Sequence, residues 1–330
     1  MSGHDPSLPV LLFYREPEKD RYLPLDRYAL RLVRPLYRRL TGRQSTTGFR
    51  VWFESLVKAL RLAGVEVAIN DSALARRHPR HPVGLVGYPA VLESFSLPNP
   101  TVLGPGLYDH PKVAPRLFDD PRHRAYLVTC RWMHDLFGRY YPGRLHLWHG
   151  GIDLVEWPDT RQHAKSIDVL VYDKLRWDRP LRERELLEPL LAELRRRGLS
   201  HQVVRYGRYQ QADYRRLLAQ SRSMLFLCEH ETQGMAYQEA LASNVPVLAW
   251  ENGFWLDPRR EQYEAEPVPA SAVPYFSEEC GRRFVGAEDF PAVLEAFLAR
   301  ATDFEPRRFV ERELSLGESA RRYLEVYRGI

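Results

Sequence analysis

The sequence predicts an α/β protein built from two doubly wound, Rossmann-like domains. Short apolar, β-rich runs alternate with amphipathic helical patterns, and that rhythm implies parallel strands joined by crossover helices. The rhythm stops at Gly150 to Ser166 (GGIDLVEWPDTRQHAKS), a polar stretch without periodicity, and then restarts. A chain of 330 residues is also too long for one ordinary core and suits two domains of roughly 150 residues each. The expected division is 1–160 and 161–330.

In the first half, Pro9–Tyr14 reads as a buried strand. Val51–Leu62 follows as a helix, with Phe53, Leu56, Val57 and Leu60 on one face and Gly64 as its stop. Val65–Ile69, Val83–Val86, Thr101–Leu103, Tyr126–Thr129 and Leu145–Trp148 continue as short strands between turn-forming residues. In the second half, Ile167–Tyr172 is a strand. Leu186, Leu187, Leu190, Leu191 and Leu194 then form a helix face that ends at Gly198. Pro189 interrupts this helix and predicts a kink or a separate first turn. Gln202–Tyr206, Met224–Cys228 and Val245–Trp250 read as strands, with Asp213–Ala219 and Met235–Ser243 as helices. Leu316, Ala320, Tyr323, Leu324 and Tyr327 line one face of a terminal helix.

Composition excludes several classes. At 44% hydrophobic and 12% aromatic the chain can bury substantial cores, so wholesale disorder is not expected. Its apolar runs are far shorter than the roughly 20 residues a membrane span needs, and the N-terminus lacks a secretory pattern. Cys130, Cys228 and Cys280 are widely spaced with no CxxC, which argues against a disulfide framework or zinc site and for a reduced cytoplasmic setting. The formal net charge of +5 suits an anionic ligand, and an arginine-rich composition accounts for it equally well. No RNP-like aromatic motif accompanies the basic residues, so nucleic acid is not an expected partner.

Chemistry concentrates in Met224 to Ala249, MLFLCEHETQGMAYQEALASNVPVLA. An apolar strand ends at Glu229-His230-Glu231. A turn of Thr232, Gln233 and Gly234 leads into a small-residue helix that begins at Met235 and carries Glu239. The open amides at such a helix start can seat a phosphate or a polarised sugar oxygen, and Gly234 permits close backbone approach. Two glutamates eight residues apart also fit a plain surface helix with a capping residue. The surrounding strand–turn–helix and the Pro-Val strand after it favour a binding site.

This segment resembles the donor-binding signature of glycosyltransferase family four (glycosyl transferases group one), which includes sucrose synthases and bacterial mannosyltransferases. The family pattern is Glu, seven residues, Glu, then Ala-x-Ala-x-Gly-x-Pro-Val. Glu231, Glu239, Ala240, Ala242, Pro246 and Val247 keep it. Thr232-Gln233 stands where the family has Gly-Phe, and Asn244 stands where it has glycine. Gly151-Ile152-Asp153 resembles the Gly-Val-Asp that ends the family's first domain. Cys130-Arg131-Trp132-Met133 sits where the family enters that domain's last helix, and Thr47-Gly48 resembles its glycine loop near the donor phosphates.

The resemblance implies the GT-B fold, two facing Rossmann-like domains with a C-terminal helix that can cross back to the first. It also implies a retaining transferase that moves sugar from a nucleoside-diphosphate sugar to a hydroxyl acceptor, without cofactor or metal. Glu231 and the amides of Thr232, Gln233, Gly234 and Met235 would hold the sugar, with Glu239 on the ribose and Gly48 near the phosphates. Lys174 and Arg176, in DKLRWDR after the strand Ile167–Tyr172, would neutralise the departing diphosphate. Because the family's Arg-to-Lys spacing is not kept, Lys174, Arg176 and Arg179 all stay open for that role. Tyr206 would mark the base site, or be a core tyrosine. His110, in the loop Gly104 to Pro111, would contact the sugar, or cap local backbone. Glu231, His110 and Lys174 are the expected catalytic residues.

The remaining histidines carry less. His78 and His81, in RRHPRHP, are expected in an exposed loop, and His230 has no matching ligand pair for a metal. Six arginines from Arg27 to Arg43 alternate with apolar residues. An arginine-rich insertion packed on the domain is the plainer reading. Peripheral contact with an anionic membrane, at its inner face, is the other. The altered Glu231-Thr232-Gln233-Gly234 turn leaves a second function open, a non-catalytic nucleotide-sugar-binding subunit of a glycan-assembly complex.

Overall fold

The computed structural model describes residues 5–17 and 48–330. The arginine-rich segment and Thr47 lie outside the described residues. The chain divides into two compact units. Among described residues, the first holds everything up to Gly151 together with Leu316–Ile330, and the second holds Ile152–Ser315.

The first unit is a parallel sheet of six strands: β1 (Val10–Arg15), β2 (Val67–Ile69), β3 (Val83–Gly87), β4 (Thr101–Gly106), β5 (His123–Val128) and β6 (Leu145–Leu147). Their spatial order is β2-β1-β3-β4-β5-β6. The helix Gly48–Leu62 buries Phe53, Leu56, Val57, Ala59 and Leu60, the expected face. It stops at Gly64 (φ 75°), where the Val65 amide reaches back to the Leu60 carbonyl at 3.0 Å. A left-handed residue closing a helix this way is sterically natural for glycine.

The terminal helix Leu316–Arg328 belongs to this first unit, whereas the 161–330 division placed it in the second. Its apolar face supplies the reason. Leu316, Ala320, Tyr323, Leu324 and Tyr327 are all buried in the cluster formed by Val10, Leu12, Phe53, Leu56 and Trp148. The fit is specific: a Cβ on Gly84 would strike the Tyr323 hydroxyl. Tyr327 Oη accepts from the Leu11 amide at 3.0 Å, and Trp148 Nε1 donates to the Ser319 carbonyl at 3.1 Å. His81, expected in an exposed loop, is buried, with Nε2 3.1 Å from the Pro9 carbonyl oxygen. The second unit likewise begins at Ile152 rather than at 161. Ile152 bridges Ser315, and Arg307 donates to the carbonyls of Trp157 (2.8 Å) and Ala242 (2.6 Å).

That second unit is a five-stranded parallel sheet: β7 (Ile167–Lys174), β8 (His201–Arg205), β9 (Ser221–Cys228), β10 (Val247–Trp250) and β11 (Gly281–Phe284), in the order β11-β10-β9-β7-β8. Its central strands are covered on both faces, which is why they read as continuous apolar runs. Leu170, Tyr172, Met224 and Phe226 pack on one side with Tyr214, Leu217, Leu241 and Val310. Val169, Val171, Leu225 and Leu227 pack on the other with Leu190, Leu194, Phe290 and Phe297. The helix broken by Pro189 contains a π turn, Glu183–Leu187, between Arg179–Arg182 and Glu188–Arg196. Proline cannot donate to the carbonyl one turn back, and the wider i→i+5 ladder from Glu188 to Glu183 absorbs the misfit. The last strand and the helices Phe290–Ala299 and Pro306–Glu313 were not anticipated.

Candidate active site

The order of the second sheet decides where a ligand can sit. From β7 the chain steps outward to β8, then returns past β7 to β9 and continues to β10 and β11. The direction of winding therefore reverses between β7 and β9. In open parallel sheets the crevice at the carboxyl ends of the two strands flanking such a reversal is the usual ligand seat. β7 ends at Lys174 and β9 ends at Cys228, directly paired across the sheet. The chain leaving these two ends carries Lys174 and Arg176 on one side and Glu229, His230 and Glu231 on the other.

Lys174 and Glu231 are joined as a mostly buried ion pair between Nζ and Oε1, with side chains 13% and 11% exposed. Burial is the largest single influence and disfavours the ammonium, but the Glu231 carboxylate together with other neighbouring groups more than offsets it, so the lysine pKa is raised. The same ammonium lies 4.6 Å from the ring centroid of Tyr206, a cation–π contact. Tyr206 follows β8 and is 44% exposed, so it is not a core tyrosine. Arg176 donates to the His230 carbonyl at 2.9 Å and faces Glu229 at 3.5 Å. Arg179 is held by both carboxylate oxygens of Asp173, at 2.7 and 2.6 Å, and by Glu183 at 2.6 Å. All three basic candidates are thus engaged with carboxylates, a pairing the sequence did not reveal.

The turn after Glu231 is built by its own side chains. Gly234 has φ 82°, and a Cβ there would strike the Tyr237 ring and lie 3.3 Å from Glu231 Cγ. Gln233 is buried; its Nε2 donates to Gln238 Oε1 at 3.2 Å, and Gln238 Nε2 donates to the Gln233 carbonyl at 2.9 Å. Thr232, Met235 and Ala236 are half-buried at the opening of the helix Met235–Ala242. The helix closes at Asn244 (φ 62°), with the Val245 amide on the Ala240 carbonyl and the Asn244 amide on the Leu241 carbonyl, both at 2.9 Å. Asparagine tolerates this left-handed cap.

Glu239 sits in this helix, 8% exposed. Its Oε1 accepts from Gln211 Nε2 at 3.1 Å. Burial, with Glu156 adding to it, pushes the Glu239 carboxyl up to about 8. Tyr209, near Glu239, shares a 2.9 Å hydroxyl contact with Tyr172 and is pushed up to about 12 by burial.

The structure therefore brings Lys174, Arg176, Tyr206, the turn Thr232–Met235 and Glu231 to one edge of the second sheet, with Glu239 in the helix that follows. Gly48 and His110 belong to the first unit. Gly48 is exposed at the start of its helix. His110 is buried; its Nδ1 accepts from the Lys112 amide at 3.1 Å and its ring meets Tyr140 edge-on at 6.0 Å. Sequence reasoning missed Glu229, Trp177, Gln211 and Ser271. The signal available for Glu229 was its place directly after the apolar strand, two residues before Glu231.

Neither a protein-family model nor a curated protein matches the chain. Solved structures do match in fold. A glycosyltransferase from Rickettsia africae ESF-5 superposes with a TM-score of 0.56 at 11% identity, covering 97% of each chain. Sucrose-phosphate synthase from Thermosynechococcus elongatus gives a TM-score of 0.54 at 12% identity, covering 100% of this chain and 97% of its own. S. aureus TarM, crystallised in complex with UDP, gives 0.53 at 9% identity over 74% of this chain. The chain spans about half the length of TarM, 55%. Two parallel sheets, each carrying helices, give this chain the α/β fold of GT-B glycosyltransferases.

Proposed function

We propose that this protein is a retaining, metal-independent glycosyltransferase that moves sugar from a nucleoside-diphosphate sugar to a hydroxyl acceptor. The carrying observation is the Lys174–Glu231 pair at the winding reversal of the second sheet, beside a helix start with a left-handed glycine. In this reading the donor diphosphate meets Lys174, whose charge offsets the negative charge that grows on the leaving group. Glu231, released from Lys174, turns to the sugar hydroxyls. Glu239 accepts from the ribose, and Tyr206 flanks the base. The leaving phosphate helps accept the acceptor's proton. The setting would be cytoplasmic, or peripheral to the inner membrane face. Among the described residues no helix is long and apolar enough to cross a membrane.

One observation favours a second reading. Lys174, Arg176 and Arg179 are each already neutralised by a carboxylate, as a non-catalytic nucleotide-sugar-binding subunit could tolerate. The test is calorimetric titration with UDP, GDP, ADP, CDP and dTDP and their common sugar conjugates, followed by donor hydrolysis. A transferase should bind one family of donors and slowly release its nucleotide. Binding without release supports the subunit, and no binding at all refutes both.

A further inference from the structure

The ends of β7 and β9 are joined by more than Lys174 and Glu231. Glu229 has a side chain only 1% exposed. Its Oε1 accepts from two successive backbone amides, those of Arg176 at 2.7 Å and Trp177 at 3.1 Å, and its Oε2 faces Arg176 Nε at 3.5 Å. The Arg176 guanidinium lies 4.1 Å over the Trp177 ring, and Trp177 stacks on His230 at 5.1 Å with ring planes 5° apart. From the other side, Asn252 donates its side-chain amide to the Glu229 carbonyl. The Glu231 amide donates to the Ser271 carbonyl at 2.9 Å, and Ser271 donates its hydroxyl to Glu251 at 2.6 Å. The turn Glu229-His230-Glu231 is thus gripped by the chain after β7 and by the chain after β10.

A buried carboxylate is expensive unless its oxygens are partnered, and Glu229 takes two backbone amides on Oε1 and faces Arg176 with Oε2. These amides lie two and three residues beyond Lys174, while Glu229 lies two residues before Glu231. The carboxylate therefore ties together the two segments that leave these paired strand ends, beside the site's ion pair. Arg176 is absorbed in the same assembly, by Glu229 and the His230 carbonyl, and Arg179 is taken by Asp173 and Glu183. Of the three basic candidates, Lys174 is the one whose partner is itself a proposed donor ligand.

We propose that Glu229 is a positioning residue of the donor site: by capping the amides of Arg176 and Trp177 it holds the turn bearing Glu231 at a fixed distance from Lys174, and Arg176 serves this clamp rather than the diphosphate. The inference rests on Lys174 and Glu231 being donor ligands.

The test compares Glu229→Gln with Glu229→Ala. Glutamine offers the same Oε1 to both amides; alanine offers nothing. The ligand is whichever of UDP, GDP, ADP, CDP and dTDP binds the unaltered protein, with its sugar conjugate for turnover. The alanine variant should lose about tenfold or more in affinity and turnover, and glutamine should restore both to within about threefold. Hydrogen exchange supplies a readout independent of ligand: alanine should speed exchange in 174–178 and 229–234 while leaving the core of β7 protected. Equal nucleotide affinity and turnover in the alanine variant and the unaltered protein overturn the clamp alone. A glutamine variant as impaired as alanine also overturns it, because charge rather than amide capping would then carry the effect. If no nucleotide binds the unaltered protein, the donor reading fails first and the clamp loses its role with it.

Discussion

Replacing Glu239 with glutamine should remove most of a pH dependence that this one buried carboxyl builds into the folded protein. Glu239 is 8% exposed, and its hydrogen-bond donor, Gln211, is neutral. Burial first, then Glu156, raise its pKa from 4.5 to about 8. A group whose folded pKa is raised contributes stability that is fully present below the unfolded value and lost as pH climbs through the folded one. Stability should therefore fall between about pH 5 and pH 9, by up to ~1.4 kcal/mol per pH unit inside that window. Allowing for relaxation around the ionised carboxylate, the total is on the order of 2–4 kcal/mol. Glutamine keeps an oxygen for Gln211 but cannot ionise. Thermal melts of both proteins at pH 5 and pH 9 should nearly coincide at the lower pH. At the higher pH the variant should melt about 5–15 °C above the unaltered protein, the shift such an energy produces in a unit of this size. If nucleotide binding uses the ionised carboxylate, calorimetry in two buffers at pH 7 should also show close to one proton released. Parallel pH profiles for the two proteins would refute the reasoning, since Glu239 would then be ionised throughout.

Three further outcomes follow from the same geometry. Because Glu231 neutralises Lys174, Glu231→Gln should bind the free nucleoside diphosphate several-fold more tightly and its sugar conjugate more weakly, while Lys174→Ala should depress turnover more than donor affinity; calorimetry and initial rates decide, and additive effects in the double variant would show that the pair is not coupled. Gly234→Ala forces a left-handed alanine against Tyr237 and Glu231, so denaturant melts should show a loss of roughly 1–3 kcal/mol together with weaker sugar-nucleotide binding. Sugar transfer should persist in EDTA, with cationic side chains and helix amides doing what a metal does elsewhere; collapse on chelation and recovery with added Mg²⁺ or Mn²⁺ would refute this.

Much of the architecture was legible because it is written locally. A central strand with helices on both faces must be apolar at every position, so Met224–Cys228 and Ile167–Tyr172 announced themselves. The stop at Gly64 and the tolerance of Asn244 for a left-handed cap follow from short-range sterics, as does the disturbance at Pro189. The segment from Glu231 to Glu239 read as strand end, turn and helix for the same reason, since it forms one contiguous unit. Strands β11 and the helices after it were missed because short elements with broken periodicity resemble loops until something packs on them.

Other features depend on which elements become neighbours, and no local pattern encodes that. Lys174 meets Glu231 because β7 lies beside β9 while β8, nearer in sequence, is turned outward. Glu229 is buried and partnered because the amides after β7 arrive there. His81 is inside because Pro9, just before β1, and Tyr327 of the terminal helix meet its ring. The terminal helix joins the first unit because its apolar face completes a core whose other residues lie some 170 to 310 positions earlier in the chain. Periodicity and turn chemistry act over a few residues, so the sequence alone determined the elements and the motif. Burial and charge pairing act over space, so only the tertiary structure decided which side chains the motif would meet.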